Sequence, residues 1–339
     1  MTLHPFLHLV VAAEDLPEAD AHAAMGIVLR GGATPVQLAA FLVALRMKGE
    51  TPEELTGFAR AMREAATPVR PKPDGPLIDT CGTGGDGAST FNISTVTAFV
   101  LAGAGVRVAK HGNRSISSHC GSADLMEALG VRVVLPPERM AAAIDEVGIG
   151  FLFAPAIHPA MKHAQPVRQE LKMRTVFNLL GPLTNPAGAT VQMVGAPSRE
   201  AAEKMALALA ALGLESGWVV HGSDGLDEVT LSGVTHGWRI AAGQARYEQL
   251  HPQDFGLSPA PLDAIRCKGK DEHVVAAREV LAGAGGPRRD IVLANAALAL
   301  TAAGRARDLH DGVGLAAESL DSGAARRKAE DLAAFSQRD

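Results

Sequence analysis

Residues 78–94 read IDTCGTGGDGASTFNIS, and within them Gly82 to Gly87 match the G-x-G-x-x-G pattern of a dinucleotide-binding turn. Leu77 and Ile78 form the end of a predicted strand before the turn, and a helix is predicted from Ser94 to Gly103. This order favours phosphate binding, because backbone N–H groups and a helix N-terminus attract anions. The pattern alone is weak evidence, since 36 of the 339 residues are glycine.

The surroundings of the turn disfavour NAD. A Rossmann unit has an acidic residue about 20 positions further on, which binds the ribose hydroxyls. Here the second strand ends in the polar and basic Lys110-His-Gly-Asn-Arg114, and Asp86 within the turn would repel an unscreened pyrophosphate. A metal ion or a sugar hydroxyl would explain Asp86. A structural alternative remains, in which a tight turn is followed by an unusually polar helix cap. The polar residues at this helix start are Ser89, Thr90, Asn92, Ser94 and Thr95.

A second polar loop, from Lys110 to Ser118 and on to Ser122, also connects a strand to a helix. Lys110 and Arg114 supply positive charge, and several serines supply small hydrogen-bonding groups. In an α/β sheet both loops leave the carboxyl ends of neighbouring strands and face one crevice. Two such loops predict a ligand with two separate phosphates. The serines are Ser115, Ser117, Ser118 and Ser122.

An acidic turn, Asp224-Gly-Leu-Asp227-Glu228, follows a predicted strand that ends at His221. Adjacent carboxylates beside phosphate loops are good Mg²⁺ ligands, because oxygen donors share the ion with phosphates and water. The alternative is an ordinary solvated acidic turn. A bound cation would also explain how Asp86 can lie within a phosphate-binding turn.

The composition indicates a folded, cytosolic chain. A net charge of −5 disfavours non-specific nucleic-acid binding, which requires a basic face. No stretch approaches 18 uninterrupted apolar residues, so we expect no membrane span, and the N-terminus lacks a basic leader. Cys81, Cys120 and Cys267 are widely spaced, which favours reduced, mostly buried thiols.

The first 67 residues are predicted to be helical. Thr34 with Gln37, and Thr51 with Glu54, form capping boxes in which proline takes the first helical position. A proline-rich linker, Thr67 to Pro76, follows and cannot continue a helix.

After the linker, β-like runs alternate with helical stretches, which predicts a mainly parallel sheet covered by helices. We predict strands at 106–109, 131–135, 150–154, 189–195 and 217–221. Helices are predicted at 122–129, 137–147, 198–212 and 290–303, with a charged final helix from Leu315.

Several segments together resemble the anthranilate phosphoribosyltransferase family. They appear in the family's order and, with the helical start, cover nearly the whole chain. The segments are DTCGTGGDG with STFNIST, KHGNRSISS with CGSADLMEALGV, HPAMKHAQPVRQEL with RTVFNLLGPLTNPA, and HGSDGLDE with the later HPQDFGL.

The resemblance implies a fold and a reaction. The fold is a small helical domain, residues 1–69 with about 159–182, and a large α/β domain of the nucleoside phosphorylase/phosphoribosyltransferase type, residues 70–158 and 183–339. In the reaction, anthranilate attacks C1′ of 5-phosphoribosyl pyrophosphate (PRPP) and displaces pyrophosphate, a step of tryptophan biosynthesis. The resemblance also implies a homodimer and Mg²⁺, with two ions per subunit.

The resemblance further implies three groups of site residues. The PRPP group is Gly82, Gly85, Asp86, Thr90, Asn92, Ile93, Ser94, Thr95, Lys110, His111, Gly112, Asn113, Arg114, Ser115, Ser117, Ser118 and Ser122. The anthranilate group is Gly82, His111, Asn113, His158, Arg168, Gly181 and Pro182. The Mg²⁺ group is Ser94, Asp227 and Glu228.

Alternatives remain for individual residues and for the function. Arg168 could form an ion pair on a helix surface, His158 could be a cap or a core histidine, and His111 could simply orient its loop. The nearest rival function is that of a pyrimidine nucleoside phosphorylase, which shares the architecture but has a different glycine loop. A non-catalytic nucleic-acid-binding relative should be basic, whereas this chain is acidic.

Overall fold

A computed structural model describes residues 2–84, 87–115 and 120–338 of the chain. The chain begins with four helices, as predicted. At the starts of the third and fourth, Thr34 and Thr51 accept the N–H of Gln37 and Glu54, whose side chains return to the threonine N–H groups. Both capping boxes are therefore confirmed. The helices are α1 (His4–Val11), α2 (Glu18–Leu29), α3 (Pro35–Lys48) and α4 (Pro52–Ala65).

A seven-stranded sheet forms the centre of the remaining chain. The strands are β1 (Leu77–Gly82), β2 (Arg107–Gly112), β3 (Ile149–Phe153), β4 (Val191–Gly195), β5 (Ser216–Gly222), β6 (Thr235–Ala241) and β7 (Gln244–Leu250). Their order is β3-β2-β1-β4-β5-β6-β7, and all neighbours among the first five are parallel. This mainly parallel sheet confirms the predicted α/β class.

Helices cover both faces of the sheet. After the first four they are α5 (Ile93–Gly103), α6 (Ser122–Ala128), α7 (Pro137–Glu146), α8 (Ala154–Ile157), α9 (Gln165–Leu171), α10 (Phe177–Leu180), α11 (Arg199–Ala211), α12 (Lys270–Leu281), α13 (Pro287–Ala302), α14 (Leu309–Asp321) and α15 (Ala324–Ser336). Ile78 and Val108 belong to a core with α5 and α12 to α15. Val194 and Val219 belong to a second core, with the N-terminal helices and α11.

The segment from Pro159 to Leu183 leaves the sheet and packs against the N-terminal helices. It contains α9, α10 and two short 3-10 helices. Val167 of α9 and Phe177 of α10 lie in the same buried cluster as Phe41 and Phe58 of α3 and α4. The chain therefore returns to the helical part after three strands of the sheet.

The strand predicted at 131–135 is wrong. Val131, Val133 and Leu135 are buried in alternation, as in a strand, but the segment pairs with no strand among the described residues. The N–H of Arg132 instead donates to the Ser336 hydroxyl at 2.8 Å, at the end of α15. The alternation therefore reflects packing under the C-terminal helix rather than membership of the sheet.

The later part of the chain contains two further departures. The antiparallel hairpin of β6 and β7 was not predicted; it reverses at Ala242 and Gly243, which both have positive φ (51° and 72°), as a tight hairpin turn requires. The single final helix predicted from Leu315 is two helices, α14 and α15. Gly323, with φ 71°, separates them, because a left-handed residue ends a helix.

Two predictions from composition can be compared with the described residues. None of the helices there combines the length and apolar character needed to cross a membrane. Cys120 and Cys267 are buried, Cys81 is half-buried, and all three thiols are free.

Candidate active site

The order of the strands places a crevice at the carboxyl ends of β1 and β4. From β1 the chain builds outwards through β2 and β3, then returns to place β4 on the other side of β1. Ligands of open α/β sheets bind at such a reversal, beyond the carboxyl ends of the strands. Gly82 ends β1 and lies directly beside Gly195, which ends β4.

Asp227 packs against both of these glycines. A Cβ atom at Gly195 would lie 1.6 Å from the Asp227 carbonyl oxygen, and one at Gly82 would lie 2.7 Å from its carboxylate Oδ2. The N–H of Gly84 donates to the same Oδ2 at 2.7 Å. Glycine is therefore required at the two strand ends, because it alone lets the acidic segment approach the glycine turn this closely.

A buried asparagine of α13 supports this acidic segment. The Asn295 amide oxygen accepts the Val229 N–H at 3.0 Å, and its NH₂ group donates to the Val229 carbonyl at 3.2 Å and to the Ile291 carbonyl at 2.8 Å. Asn295 is 1% exposed. It thus binds the backbone next to Glu228 as a neighbouring strand would.

Asp224 closes the other side of the acidic turn. Its Oδ2 accepts hydrogen bonds from the hydroxyls of Thr230 at 2.6 Å and Ser232 at 2.5 Å. Asp224 therefore folds the turn, whereas Asp227 and Glu228 lie at the crevice. The sequence could not separate these two roles, because all three acids occur within five positions.

The donors of Asp227 and Glu228 are oxygen atoms, which suit Mg²⁺. Asp227 is 8% exposed and Glu228 is half-buried, so a bound cation would be only partly hydrated. The fixed Asp227 carboxylate and its carboxylate neighbour fit a Mg²⁺ ion shared with phosphate oxygens.

The start of α5 forms the second wall of the crevice. The Ser94 carbonyl accepts the Thr80 hydroxyl at 2.9 Å, which ties the first turn of α5 to β1. The Asn92 amide donates to the Cys120 carbonyl at 2.9 Å and so connects the two polar loops. Thr95 is fully buried, and its hydroxyl has no hydrogen-bond partner among the described residues. Ile93 is buried in the core and Thr90 is half-buried.

Lys110 and His111 point to opposite faces of the sheet, as successive residues of a strand do. Lys110 is 2% exposed, and its ammonium group donates to the Thr80 carbonyl below the start of α5. His111 lies on the face that carries Asp79, whose carboxylate accepts a hydrogen bond from the His111 backbone N–H at 3.0 Å. The two side chains therefore do not point to a common position in this structure.

The described part of the second loop is braced by its own hydrogen bonds. The Ser122 hydroxyl accepts the Asn113 N–H at 3.1 Å, and Gly112 leaves the space that this hydroxyl occupies. Arg114 binds Glu127 with two hydrogen bonds of 2.6 Å, and it also contacts Asp124 at 3.4 Å. Arg114 would have to leave these acids to reach a phosphate. The N–H of Ser115 also donates to Asp124, at 3.3 Å.

Two buried histidines, His111 of β2 and His158 directly after α8, lie side by side. The ring centroids of His111 and His158 are 5.2 Å apart. His158 Nε2 has no hydrogen-bond partner among the described residues, whereas the His111 ring has the Gly181 backbone as a hydrogen-bonding neighbour. Burial, followed by the charges of His158 and Lys110, lowers the pKa of His111 to about 3, while the Gly181 backbone acts in the opposite direction. Burial lowers the pKa of His158 to about 4. Both rings are neutral at pH 7.

Arg168 has no carboxylate partner among the described residues, so the alternative of a surface ion pair is not found. Its guanidinium lies over the Phe177 ring at 5.2 Å, and burial lowers its pKa. Gly181 and Pro182 follow α10, and the Pro182 carbonyl accepts the Gln192 amide at 2.8 Å, which ties this loop to β4.

Comparisons with known proteins agree with this arrangement. Residues 4–66 match the family described as "Glycosyl transferase family, helical bundle domain", and residues 74–326 match "Glycosyl transferase family, a/b domain". The chain is 61% identical to the anthranilate phosphoribosyltransferase of Solibacter usitatus (strain Ellin6076), over 99% of both chains. The chain belongs to the anthranilate phosphoribosyltransferase family.

Solved structures of this family have the same fold. The anthranilate phosphoribosyltransferase of Thermus thermophilus superposes with a TM-score of 0.92 at 47% identity, over 98% of this chain and 99% of that one. The Saccharomyces cerevisiae anthranilate phosphoribosyltransferase in complex with PRPP and Mg superposes with a TM-score of 0.89 at 30% identity, over 98% of this chain and 97% of that one.

Four of the predicted PRPP residues lie outside the described ranges. They are Gly85, Asp86, Ser117 and Ser118. Among the other predicted residues, Gly82, Ser94, Asp227 and Glu228 belong to the segments around the crevice, while Lys110 and Arg114 are engaged by neighbouring protein groups.

Sequence reasoning missed three polar residues that shape the site in this member of the anthranilate phosphoribosyltransferase family. Asp79 accepts from Asn185 at 2.8 Å and from the His111 N–H, and Asn295 supports the acidic turn. The available sign was a polar residue within or directly after an apolar run, VLANAAL for Asn295 and LID for Asp79. A buried polar group must find a partner, which is a reason to examine such positions.

We expect Asn295→Leu to lower the free energy of unfolding by about 2 to 4 kcal/mol, because it leaves the buried Val229 N–H and C=O unpaired. We also expect it to raise the Mg²⁺ concentration needed for half-maximal activity, because the Asp227–Glu228 segment loses its support. Urea denaturation and a Mg²⁺ titration of the rate measure the two effects. Thr301→Val, in the same helix, is the matched control and should change both little. A loss of stability with an unaltered Mg²⁺ requirement would contradict the second effect.

The two histidines should make the folded chain less stable as the pH is lowered. Their folded pKa values of about 3 and 4 lie below the 6.5 of an ordinary histidine, so protons favour the unfolded chain as pH falls from 6.5 towards 4. We expect each to reduce the free energy of unfolding by about 2 kcal/mol between pH 7 and pH 5. Urea denaturation of His158→Asn at both pH values should show a smaller decrease than the parent chain. An identical decrease would contradict this assignment.

Proposed function

We propose that the chain transfers the phosphoribosyl group of PRPP to the amine of anthranilate, giving N-(5-phosphoribosyl)anthranilate and pyrophosphate. It is a glycosyltransferase of the pentosyl class, and the reaction is a step of tryptophan biosynthesis. The main supporting observation is the Asp227–Glu228 segment, packed against the glycine turn at the strand reversal of a chain that belongs to this family. An acidic pair beside a phosphate-binding loop suits a Mg²⁺-dependent diphosphate donor.

PRPP would bind between the glycine turn, the start of α5 and the second loop. In this proposal Asp227 and Glu228, with Ser94, hold Mg²⁺, which when bound neutralises charge that develops on pyrophosphate. The N–H groups at the start of α5 offer fixed donors to phosphate oxygens. The fixed geometry of Asp227, set by Gly84 and the two strand-end glycines, preorganises the site before the substrate arrives. The proposed PRPP residues are those named from the sequence, including Gly85, Asp86, Ser117 and Ser118.

Anthranilate would bind on the face of His111 and His158, with its carboxylate met by Arg168 and Asn113 and its ring close to Gly181 and Pro182. A guanidinium presents a planar pair of donors to a carboxylate. With a pKa of about 3, His111 is a poor general base. The aromatic amine attacks as a neutral nucleophile, so the residues need to orient it rather than deprotonate it.

The experiment is to measure pyrophosphate release by the full chain with PRPP, Mg²⁺ and anthranilate, beside phosphorolysis of thymidine and uridine. We expect pyrophosphate release that requires anthranilate, and no phosphorolysis. Phosphorolysis without anthranilate turnover would replace the proposal by a pyrimidine nucleoside phosphorylase. A gel shift at moderate salt, with neither reaction, would indicate the nucleic-acid-binding alternative.

We include a homodimer in this proposal. Helix α3 buries one face in its own core and presents a second apolar stripe outwards, with Val36 79% and Met47 83% exposed. Ala40 and Val43 lie between them at helical spacing, so a second copy of the chain could cover one continuous stripe.

The remaining parts of the proposal are the two Mg²⁺ ions per subunit, the cytosolic location and the division into residues 1–69 with about 159–182 and 70–158 with 183–339. The packing of α9 against α3 and of α10 against α4 supports that division.

We expect Met47→Glu to convert the dimer into a monomer of unchanged folded stability, because the side chain contacts solvent in the single chain. Light scattering after gel filtration measures the mass. Val134→Glu, at another exposed apolar position, is the control and should leave the mass unchanged. A parent chain that is already monomeric would contradict the dimer.

A further inference from the structure

A cluster of three different donor groups lies below the glycine turn. Asp79 and Cys81 are two residues apart on β1, so they share a face, and His111 lies on the same face of the neighbouring strand β2. A carboxylate oxygen of Asp79, the Cys81 sulfur and a ring nitrogen of His111 all lie within 4.8 Å of one another. Asp79 and His111 are buried, and Cys81 is half-buried. Asp79 and His111 are therefore shielded from solvent, and the cluster is accessible past Cys81.

The donors differ in kind from those of the acidic turn. Asp227 and Glu228 offer oxygen atoms only, which suits Mg²⁺. Thiolate and imidazole are softer ligands and select Zn²⁺ over Mg²⁺. Zinc bonds of about 2.0 to 2.3 Å bring tetrahedral donors to roughly 3.3 to 3.8 Å from each other, so small side-chain rotations would complete the site.

Two further observations indicate that the cluster can accept a ligand. His111 is 3% exposed, and among the described residues at most one of its two ring nitrogens is engaged, by the Gly181 backbone, so the other nitrogen is available as a ligand atom. Asp79 is held in place by hydrogen bonds from the Asn185 amide at 2.8 Å and from the His111 backbone N–H at 3.0 Å. Outer hydrogen bonds of this kind fix the carboxylate ligands of metal sites.

We propose that Asp79, Cys81 and His111 bind one Zn²⁺ ion with a water in the fourth position, and that this ion inhibits the enzyme. Binding displaces the Cys81 thiol proton to solvent and forms the Zn–S bond. The bound ion would occupy His111 and draw Cys81, which precedes Gly82, away from the geometry that the glycine turn needs. The binding claim is independent of the proposed function, whereas the inhibition claim rests on it.

Binding is tested with Co²⁺ as a spectroscopic substitute for Zn²⁺, on the metal-free full chain without PRPP or Mg²⁺. We expect one Co²⁺ per chain with a thiolate-to-cobalt charge-transfer band that Zn²⁺ abolishes. Cys81→Ser should lose the band and weaken Zn²⁺ binding by at least about tenfold. Cys267→Ser, which removes a buried thiol elsewhere, should behave as the parent. A missing band in the parent chain, or an unchanged band in Cys81→Ser, would overturn the site.

Inhibition is tested by adding Zn²⁺ to the reaction at saturating Mg²⁺ and PRPP. The parent and Cys267→Ser should lose activity and regain it with a chelator, while Cys81→Ser should remain active. Equal inhibition of Cys81→Ser and the parent would overturn the inhibitory role, because Zn²⁺ would then act at the acidic pair or on PRPP. A parent chain without any anthranilate turnover would contradict the proposed function, and the Co²⁺ measurement would still decide the site.

Discussion

The double substitution Asp227→Asn with Glu228→Gln is expected to reduce the rate of anthranilate turnover by at least about a thousandfold, the largest effect that we predict. Both carboxylates belong to a segment held by Gly84 on one side and by Asn295 on the other, so water cannot easily take their place. Steady-state rates at several Mg²⁺ concentrations measure the loss. The amide side chains should leave the fold intact, because they keep size and hydrogen-bonding capacity.

Two comparisons make this result specific. Glu330→Gln with Asp331→Asn removes the same charge from adjacent exposed acids on α15 and should leave the rate unchanged. His111→Asn should cost only about tenfold, because a ring with a pKa of about 3 cannot supply a decisive general base. Equal losses from His111→Asn and from the double variant would contradict a mechanism based on charge stabilisation.

The substitution Gly195→Ala is expected to reduce turnover by about a hundredfold, although residue 195 offers no side chain to a substrate. Its Cβ would lie 1.6 Å from the Asp227 carbonyl oxygen and 2.6 Å from the carbonyl carbon, so the acidic segment has to move. A displacement of about 1 Å at a positioned group is sufficient for a loss of this size. The rate and the Mg²⁺ requirement should both change.

Gly314→Ala is the matched control for this substitution. Gly314 lies within α14 without positive φ, and nothing lies within 4 Å of its added Cβ. It should leave the rate unchanged and stabilise the fold slightly, because alanine favours helices over glycine. Activity of Gly195→Ala close to that of the parent would show that the Asp227 position tolerates movement.

Much of the site could be predicted because its determinants are local in sequence. The glycine turn, the polar start of α5 and the acidic turn each lie within a few residues of a strand end. The rule that parallel strands share a carboxyl edge then brings them together. The same rule could not reveal that Lys110 and His111 face opposite sides, because the strand was predicted to end at Ala109 whereas β2 continues to Gly112.

The rest depends on partners that are distant in the chain. Asn295 binds Val229, 66 positions away, and Asn185 binds Asp79, 106 positions away. A lone polar residue in an apolar run indicates that a partner exists but does not say which one. Arg114 shows the opposite case. It is a basic residue in a loop that was predicted to bind phosphate, but it is paired with Glu127 of the following helix. Segment 131–135 alternates like a strand because it packs under α15, and alternation cannot distinguish the two cases.

The most direct test of the proposed function is the fluorescence of anthranilate in the presence of the full chain, PRPP and Mg²⁺. We predict a steady loss of fluorescence that stops when Mg²⁺ is chelated and resumes when Mg²⁺ is restored. Undiminished fluorescence from a folded chain that binds PRPP would contradict the proposed reaction, while leaving the fold and the phosphate-binding crevice in place.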